Sequence, residues 1–258
     1  PAPAFPAPVG AAERAACCLR REPVIRVAGL GVAFGDRPVL RDVDLPIHRG
    51  CILGVVGPSG CGKSTFLSCL NRISDLTPDC RVSGSIELDG RDMLARGVDR
   101  VGLRRRIGMI FQRPNPFPLS IRRNLTFPLR EHGVRDRAER EERAESALRR
   151  VGLWQEVAER LDAPALGLSG GQQQRLCLAR ALALEPEVIL LDEPCSALDP
   201  IASETVESLI VSLRRRYTVV VVTHNLAQAR RIADDVAVFW TRDGVGTVIE
   251  RGAAEDIF

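Results

Sequence analysis

Three short apolar segments without polar alternation stand out along the chain: Cys51–Val56, Val188–Leu191 and Thr218–Val222. Runs that are apolar on both faces and rich in β-branched residues are typical of parallel strands buried within a sheet. Each segment is followed by polar or glycine residues and then by a helical pattern. This succession predicts an α/β fold whose working loops lie at the carboxyl ends of the strands.

Further strands are predicted in two pairs, each joined by a short turn that contains glycine. They are Val24–Phe34 with Val39–Ile47 around Gly35, and Val236–Trp240 with Thr247–Glu250 around Gly244. A long helical stretch is predicted from roughly Arg135 to Leu184. Its first part carries opposite charges at helical spacing, which indicates an exposed, salt-bridged face.

The first residues are rich in proline and alanine, which predicts a disordered segment over 1–23 and a folded domain over 24–258. The missing initial methionine is typical of a cut fragment. With 45% apolar residues the chain can bury a substantial core. Its net charge of +3 is too weak to indicate nucleic-acid binding. No apolar run approaches the ~20 residues that span a bilayer, so work at a membrane would require other subunits.

Eight cysteines are scattered along the chain without a C-x-x-C pair or accompanying histidines. This arrangement predicts reduced thiols rather than a disulfide or zinc framework. Cys51, Cys69 and Cys177 are expected to be small core residues.

The chain's only lysine, Lys63, lies in the run G-P-S-G-C-G-K-S-T. The run fits G-x-x-x-x-G-K-[ST], a phosphate-cradling loop between a strand and a helix. Its glycines allow successive backbone N–H groups to face an anion, and a compact ammonium reaches such a cradle better than a planar guanidinium does. Ser64 is expected to ligate Mg²⁺ through its hydroxyl. The predicted nucleotide-binding residues of this loop are Gly57, Pro58, Ser59, Gly60, Cys61, Gly62, Lys63, Ser64 and Thr65.

Polar residues follow other predicted core strands. Asp192 is positioned to hold Mg²⁺, and Glu193 is the best candidate for polarising an attacking water, although two such carboxylates could also cap a helix. Gln112 ends another predicted strand, and its amide could contact both Mg²⁺ and water. His224 follows a third strand; a lone histidine is often structural, but this position favours a role beside the γ-phosphate.

The run L-S-G-G-Q-Q-Q-R is compatible with both a structural and a functional interpretation. Ser169 and Gln172 form the capping box of a helix. However, Gly170 and Gly171 in its first turn each cost roughly 1 kcal/mol of helix stability relative to alanine. Two glycines at this position are explained if backbone N–H groups must approach an anion closely.

Taken in order, the phosphate loop, Gln112, L-S-G-G-Q, V-I-L-L-D-E, S-A-L-D and His224 resemble the nucleotide-binding subunits of ABC transporters over Val24–Phe258. The resemblance implies a P-loop NTPase core of mostly parallel strands, an antiparallel β subdomain, and an inserted α-helical subdomain over about 113–185. It implies an ATPase that uses ATP and Mg²⁺. The implied catalytic residues are Glu193, His224, Lys63 and Gln112, and the implied metal ligands are Ser64, Gln112 and Asp192.

The same resemblance implies a head-to-tail dimer that sandwiches two ATP molecules. Ser169, Gly170 and Gly171, together with Gln172, would then serve the γ-phosphate bound on the opposite subunit. Asp199 of S-A-L-D would cross the dimer interface. Phe34 matches the aromatic residue that stacks on adenine, and a core phenylalanine is the alternative.

Four runs narrow the resemblance to the ATPases of phosphate-specific importers: P-S-G-C-G-K-S-T, F-Q-R-P-N-P-F-P-L-S-I, A-L-G-L-S-G-G-Q-Q-Q-R-L-C-L-A-R and D-E-P-C-S-A-L-D-P-I. This implies a motor for inorganic phosphate uptake, peripheral on the cytoplasmic face of the cell membrane. The implied partners are two transmembrane permease subunits and, indirectly, a periplasmic or extracellular phosphate-binding protein, with no nucleic acid. Compared with that family, the chain looks short after Phe258 and expanded over Thr241–Thr247.

The sequence also bears on three alternative functions. An ABC importer for another solute stays open, because the ATPase never touches the solute. A non-transport ABC protein acting on DNA or ribosomes usually has two ATPase domains or a coiled-coil insertion, and this chain has neither. A GTPase switch is excluded because N-K-x-D guanine recognition requires a second lysine.

Overall fold

The computed structural model describes residues 22–258, so the predicted disordered segment lies outside the described residues except for its last two positions. Ten strands in the described range form one sheet. They are β1 Pro23–Phe34, β2 Arg37–His48, β3 Ile52–Val56, β4 Cys80–Leu88, β5 Arg91–Asp92, β6 Ile107–Ile110, β7 Val188–Asp192, β8 Thr218–Thr223, β9 Asp235–Arg242 and β10 Val245–Ala253.

The sheet has a parallel half and an antiparallel half, in the order β5-β4-β1-β2-β10-β9-β3-β8-β7-β6. Strands β9, β3, β8, β7 and β6 pair in parallel, whereas β2, β1, β4 and β5 pair antiparallel. Strands β3, β7 and β8 are buried along their whole length, which explains their unbroken apolar sequences. The predicted α/β fold with an antiparallel β part is confirmed. The carboxyl ends of β3, β8, β7 and β6 meet at one edge.

Nine α-helices lie between or beside the strands of residues 22–258. They are α1 Lys63–Leu70, α2 Arg100–Arg106, α3 Ile121–Glu131, α4 Arg137–Arg150, α5 Trp154–Val157, α6 Gly170–Ala183, α7 Pro200–Ser212, α8 Leu226–Ile232 and α9 Ala254–Ile257. Side-chain oxygens of residues such as Ser120, Asp136 and Asn225 accept hydrogen bonds from first-turn N–H groups and thereby set the helix starts. None of these helices combines the length and apolarity that a membrane crossing requires.

The helical stretch predicted from Arg135 to Leu184 consists of three separate helices. The structure divides it into α4, α5 and α6 with irregular chain between them. Helix α4 ends where Gly152 adopts a φ of 65°, and Pro164 lies in the irregular segment before α6. On α4, ion pairs of 2.7 Å join Arg143 to Glu139 and Arg149 to Glu145.

Apolar side chains pack on both faces of the sheet. One cluster joins β7 and β8 to α3, α4, α6 and α7. A second cluster packs α1 and β3 against β1, β2 and β4, and within it the rings of Phe66 and Phe239 lie 5.3 Å apart. The helix that begins at Lys63 is therefore firmly embedded.

Among residues 22–258 the cysteines differ from the prediction at one position. Cys51, Cys69 and Cys177 are buried as expected. Free thiols are found at Cys61, Cys69, Cys80, Cys177 and Cys195. Cys51, however, is disulfide-bonded, so the expectation of reduced thiols throughout is wrong, because spacing along the chain does not show which cysteines meet in space.

Candidate active site

The run from Gly57 to Thr65 connects the carboxyl end of β3 to α1, which is the strand–loop–helix context that the phosphate-loop motif requires. Gly57, Gly60 and Gly62 have φ angles of 146°, 83° and 91°. Residues with side chains rarely adopt these angles. The glycines therefore allow the main chain to turn tightly into the first turn of α1.

Lys63 is buried beneath this loop, with 5% of its surface exposed. Its Nζ donates hydrogen bonds of 2.8 Å to the carbonyl oxygens of Gly57 and Pro58, and lies 3.9 Å from the Sγ of Cys61. Within residues 22–258 its hydrogen-bond acceptors are thus neutral carbonyls and a thiol. A buried cation that is not neutralised by an ion pair is suited to an anionic ligand.

The hairpin of β9 and β10 supports the loop through two close backbone approaches. A Cβ at Gly57 would lie 2.1 Å from the carbonyl oxygen of Phe239, and a Cβ at Gly246 would lie 2.1 Å from the carbonyl oxygen of Cys61. Only glycine permits either contact. Gly246 was not predicted as a functional residue, although a glycine inside a strand pattern is a signal of such an approach.

Ser64 and Asp192 bring two hard oxygen donors together. The Oγ of Ser64 donates a hydrogen bond of 2.9 Å to Oδ1 of Asp192 at the end of β7. Burial raises the pKa of the Asp192 carboxyl, and the hydrogen bond from Ser64 opposes that shift. A hydroxyl and a carboxylate fit Mg²⁺, which takes few protein oxygens and retains several waters. Residues 22–258 contain no cluster of three or more His, Cys, Asp or Glu able to hold a metal.

The side chain of Glu193, which follows β7, contacts residues that follow the two neighbouring strands. Its Oε2 lies 3.3 Å from Nε2 of Gln112, which follows β6, and 3.0 Å from Nδ1 of His224, which follows β8. Its backbone has a φ of 43° and is held by a 2.9 Å hydrogen bond from its N–H to the carbonyl of Val222. A left-handed conformation at a residue with a side chain costs about 1–3 kcal/mol and is frequent at functional sites.

The glycines after Ser169 lie at the start of α6, away from this group. Ser169 and Gln172 form the predicted capping box, with hydrogen bonds of 3.3 and 3.0 Å. A Cβ at Gly171 would lie 3.0 Å from the Cβ of Ala202, so glycine lets α6 pack closely against α7. Among residues 22–258, no hydrogen bond or ion pair joins Ser169, Gly170 or Gly171 to the phosphate loop.

Two further predicted residues lie at element ends. Asp199 is exposed and begins α7, where its Oδ1 accepts a hydrogen bond of 2.9 Å from the N–H of Ala202. Phe34 ends β1 opposite Cys80 and is partly exposed. Such a ring retains a free surface on which a base can stack.

The fold and the phosphate loop together define a P-loop protein that binds nucleoside triphosphates. A family model described as ABC transporter matches residues 40–196. The chain is 58% identical over 253 residues to the phosphate import ATP-binding protein PstB 1 of Nitrosococcus oceani, covering 98% of this chain and 91% of that protein. The chain therefore belongs to the ABC transporter family, which confirms the resemblance seen in its motifs.

Solved structures agree with this assignment. The fold is similar to that of cbiO1 from Clostridium perfringens, part of the ABC transporter complex cbiONQ, with a TM-score of 0.79, 28% identity, and coverage of 92% of this chain and 91% of that one. It is also similar to a bacterial Atm1-family ABC exporter with ATP bound, with a TM-score of 0.74 and 26% identity. That match covers 92% of this chain and 39% of the exporter chain.

Proposed function

We propose that this chain is an ATP-hydrolysing subunit of an ABC importer that takes up inorganic phosphate. The assignment of ATP hydrolysis rests on one observation. Gln112, Glu193 and His224 converge next to the Ser64–Asp192 pair, at the ends of neighbouring parallel strands. The phosphate part is supported by the 58% identity to a phosphate import ATP-binding protein.

In the proposed reaction, the loop amides and Lys63 hold the β- and γ-phosphates. Glu193 orients the attacking water and accepts its proton, while Gln112 and His224 fix the position of its carboxylate. Ser64, Asp192 and Gln112 supply the protein oxygens for Mg²⁺, which when bound neutralises charge on the phosphates. Catalysis of this kind depends on positioning and charge stabilisation rather than on covalent chemistry.

The complete site requires a second copy of the chain. The signature residues, which we define as Ser169, Gly170 and Gly171, present the N-terminus of α6 and have no phosphate-loop contact within the described chain. A helix N-terminus is suited to an anion. In a head-to-tail dimer these residues and Gln172 close over the γ-phosphate held by the partner, and Asp199 crosses the interface. Phe34 stacks on the adenine.

Permease subunits are the other proposed partners. Phe117, which belongs to the P-N-P-F-P run, forms an aromatic pair with Phe127, with ring centroids 6.0 Å apart in an edge-on arrangement. Both rings are more than one third exposed. Exposed aromatic surface of this kind is typical of interaction sites. In the proposed dimer, each copy docks one of the two permease subunits through this pair, so the chain lies on the cytoplasmic face of the membrane. The permeases link it indirectly to an external phosphate-binding protein.

Gly246→Ala is expected to weaken ATP binding, because the new methyl group displaces the main chain of Cys61 inside the phosphate loop. We expect the Kd for ATP to rise by roughly tenfold or more. Isothermal titration calorimetry measures this directly. Gly252→Ala is the matched control: it lies on the same strand, and its Cβ meets Ile257 at an ordinary 3.5 Å. Equal ATP affinity in the two variants would contradict a supporting role for Gly246.

The transported solute is tested by reconstituting the chain with phosphate-importer permeases and their binding protein in liposomes. We expect phosphate to stimulate ATP hydrolysis and to accumulate inside. Stimulation only with the permease of another solute would overturn the phosphate assignment and leave the ATPase in place. ATP hydrolysis that responds to no permease but to DNA or ribosomes would support the non-transport alternative.

A further inference from the structure

The side chain of Arg180 on α6 binds the loop that follows Gln112. Its Nη1 donates a 3.0 Å hydrogen bond to the carbonyl oxygen of Asn115, and its Nη2 donates another of 3.0 Å to the side-chain oxygen of the same residue. The guanidinium also lies over the ring of Phe117, 4.3 Å from the centroid. One side chain of α6 thus holds two residues of the 113–119 loop.

Among residues 22–258, no carboxylate holds the guanidinium. Burial lowers the pKa of Arg180, and within residues 22–258 its hydrogen-bond acceptors are both neutral oxygens of Asn115. Charge neutralisation therefore does not explain the contact. The planar fork explains it, because two donors and a flat face engage an amide, a carbonyl and a ring at the same time. Lysine retains the charge but cannot reproduce this geometry.

The loop has a second anchor on the helical side. The fully buried Asn124 of α3 accepts a 2.7 Å hydrogen bond from the N–H of Phe117 and donates one of 3.2 Å to its carbonyl oxygen. At its other end the loop directly follows Gln112, whose amide contacts Glu193. The 113–119 loop is therefore a short connection, fixed at two points, between the Gln112–Glu193 pair and helices α3 and α6.

We propose that Arg180 is a positioning residue that couples the signature residues to Gln112 and Glu193. Helix α6 carries the signature residues at its first turn and Arg180 ten positions after Gly170, about 15 Å along the same rigid element. A displacement of α6 that brings the signature residues to a partner's nucleotide therefore moves the 113–119 loop and the Gln112 amide with it. This inference rests on the proposed function, because it concerns the coupling of that site.

Arg180→Lys tests the coupling, and Arg150→Lys is its matched control. Arg150 of α4 also bridges the helices to the sheet through a neutral acceptor, with a 2.8 Å hydrogen bond to the hydroxyl of Tyr217, but it lies away from the 113–119 loop. We expect Arg180→Lys to lower kcat by about tenfold while the Kd for ATP stays near that of the wild type. Arg150→Lys is expected to leave both unchanged.

A double-mutant cycle distinguishes specific coupling from a general loss of rigidity in the protein. Asn115→Ala removes the acceptor of the Nη2 hydrogen bond and Arg180→Lys removes its donor, so their effects on kcat are expected to be non-additive, whereas those of Asn115→Ala and Arg150→Lys are expected to add. Additive effects in both pairs would overturn the proposal. So would a loss of kcat in Arg150→Lys equal to that in Arg180→Lys.

Hydrogen exchange gives a readout that does not depend on turnover. In the Glu193→Gln background, ATP is expected to protect the peptides around residues 57–66, 113–119 and 169–175 together. Arg180→Lys is expected to keep the protection at 57–66 and to lose it at 113–119. Protection of 113–119 that is unchanged by Arg180→Lys would overturn the coupling. Absence of ATP-dependent protection at 57–66 in either protein would instead count against the proposed ATP site.

Discussion

Glu193→Gln is expected to bind ATP with wild-type affinity and to hydrolyse it about a hundredfold to ten-thousandfold more slowly, the range that general-base catalysis contributes. The glutamine has nearly the same shape and still accepts a hydrogen bond from Gln112, but it cannot accept the proton of the attacking water. Binding is preserved because the phosphate loop does not depend on this carboxylate. Steady-state hydrolysis and equilibrium ATP binding, measured on the same preparation, report the two effects separately.

The variant is also expected to accumulate as an ATP-bound dimer, since closure without hydrolysis cannot be reversed by product release. Size-exclusion chromatography with light scattering detects this species. Glu207→Gln is the matched control: Glu207 is a carboxylate of α7 that receives hydrogen bonds from Gln228 and Arg231, outside the site. Normal turnover by Glu193→Gln would show that another group activates the water.

Lys63→Ala is expected to lose nearly all turnover together with most of the ATP affinity. The ammonium is the one buried cation of the loop, and removing a phosphate-facing group of this kind costs roughly 3 kcal/mol of transition-state stabilisation. Lys63→Arg is the more informative variant. It retains the positive charge, but Nζ occupies a space bounded by two carbonyl oxygens and the thiol of Cys61, where a rigid planar fork does not fit.

We therefore expect Lys63→Arg to resemble Lys63→Ala in kcat/KM rather than the wild type. Thermal denaturation without nucleotide serves as the folding control, and the increase in Tm on adding ATP reports binding to the folded protein. A Lys63→Arg protein with near wild-type turnover would show that charge alone is required at this position, and that the geometry of the loop does not select lysine.

The sequence predicted those parts of the fold that depend on local patterns. The continuous apolar runs at β3, β7 and β8 predicted buried parallel strands, and the glycine turns predicted both hairpins. The same patterns placed Gln112, Glu193 and His224 at strand ends. Their contact with one another could not be derived, because it depends on the order β6-β7-β8 in the sheet, which no local pattern specifies.

Features that arise from tertiary packing were missed. The end of α4 depends on a left-handed Gly152, and a charged helical pattern does not reveal how far a helix continues. Gly246 is required only because the loop lies against its strand. Arg180 could not be distinguished by type in a chain with 36 basic residues, nearly all of them arginine. The disulfide at Cys51 likewise depends on proximity in space.

The central claim is that the ATP site is composite, with Lys63 of one copy facing the signature residues of another. Mixing two defective proteins tests it most directly, both in the Glu193→Gln background. One carries Lys63→Ala and the other carries Gly170→Asp, which places a carboxylate where phosphate oxygens would approach. The measurement is ATP-dependent co-purification through a tag on one of the two proteins.

Neither protein alone can build a complete site, since one lacks the phosphate grip and the other repels the partner's phosphate. A mixed dimer contains one complete site, formed by the phosphate loop of the Gly170→Asp copy and the signature residues of the Lys63→Ala copy. We predict that ATP causes the mixture to associate while each protein alone stays monomeric. ATP-dependent dimers of the Gly170→Asp protein alone, or none in the mixture, would contradict a site shared between two chains.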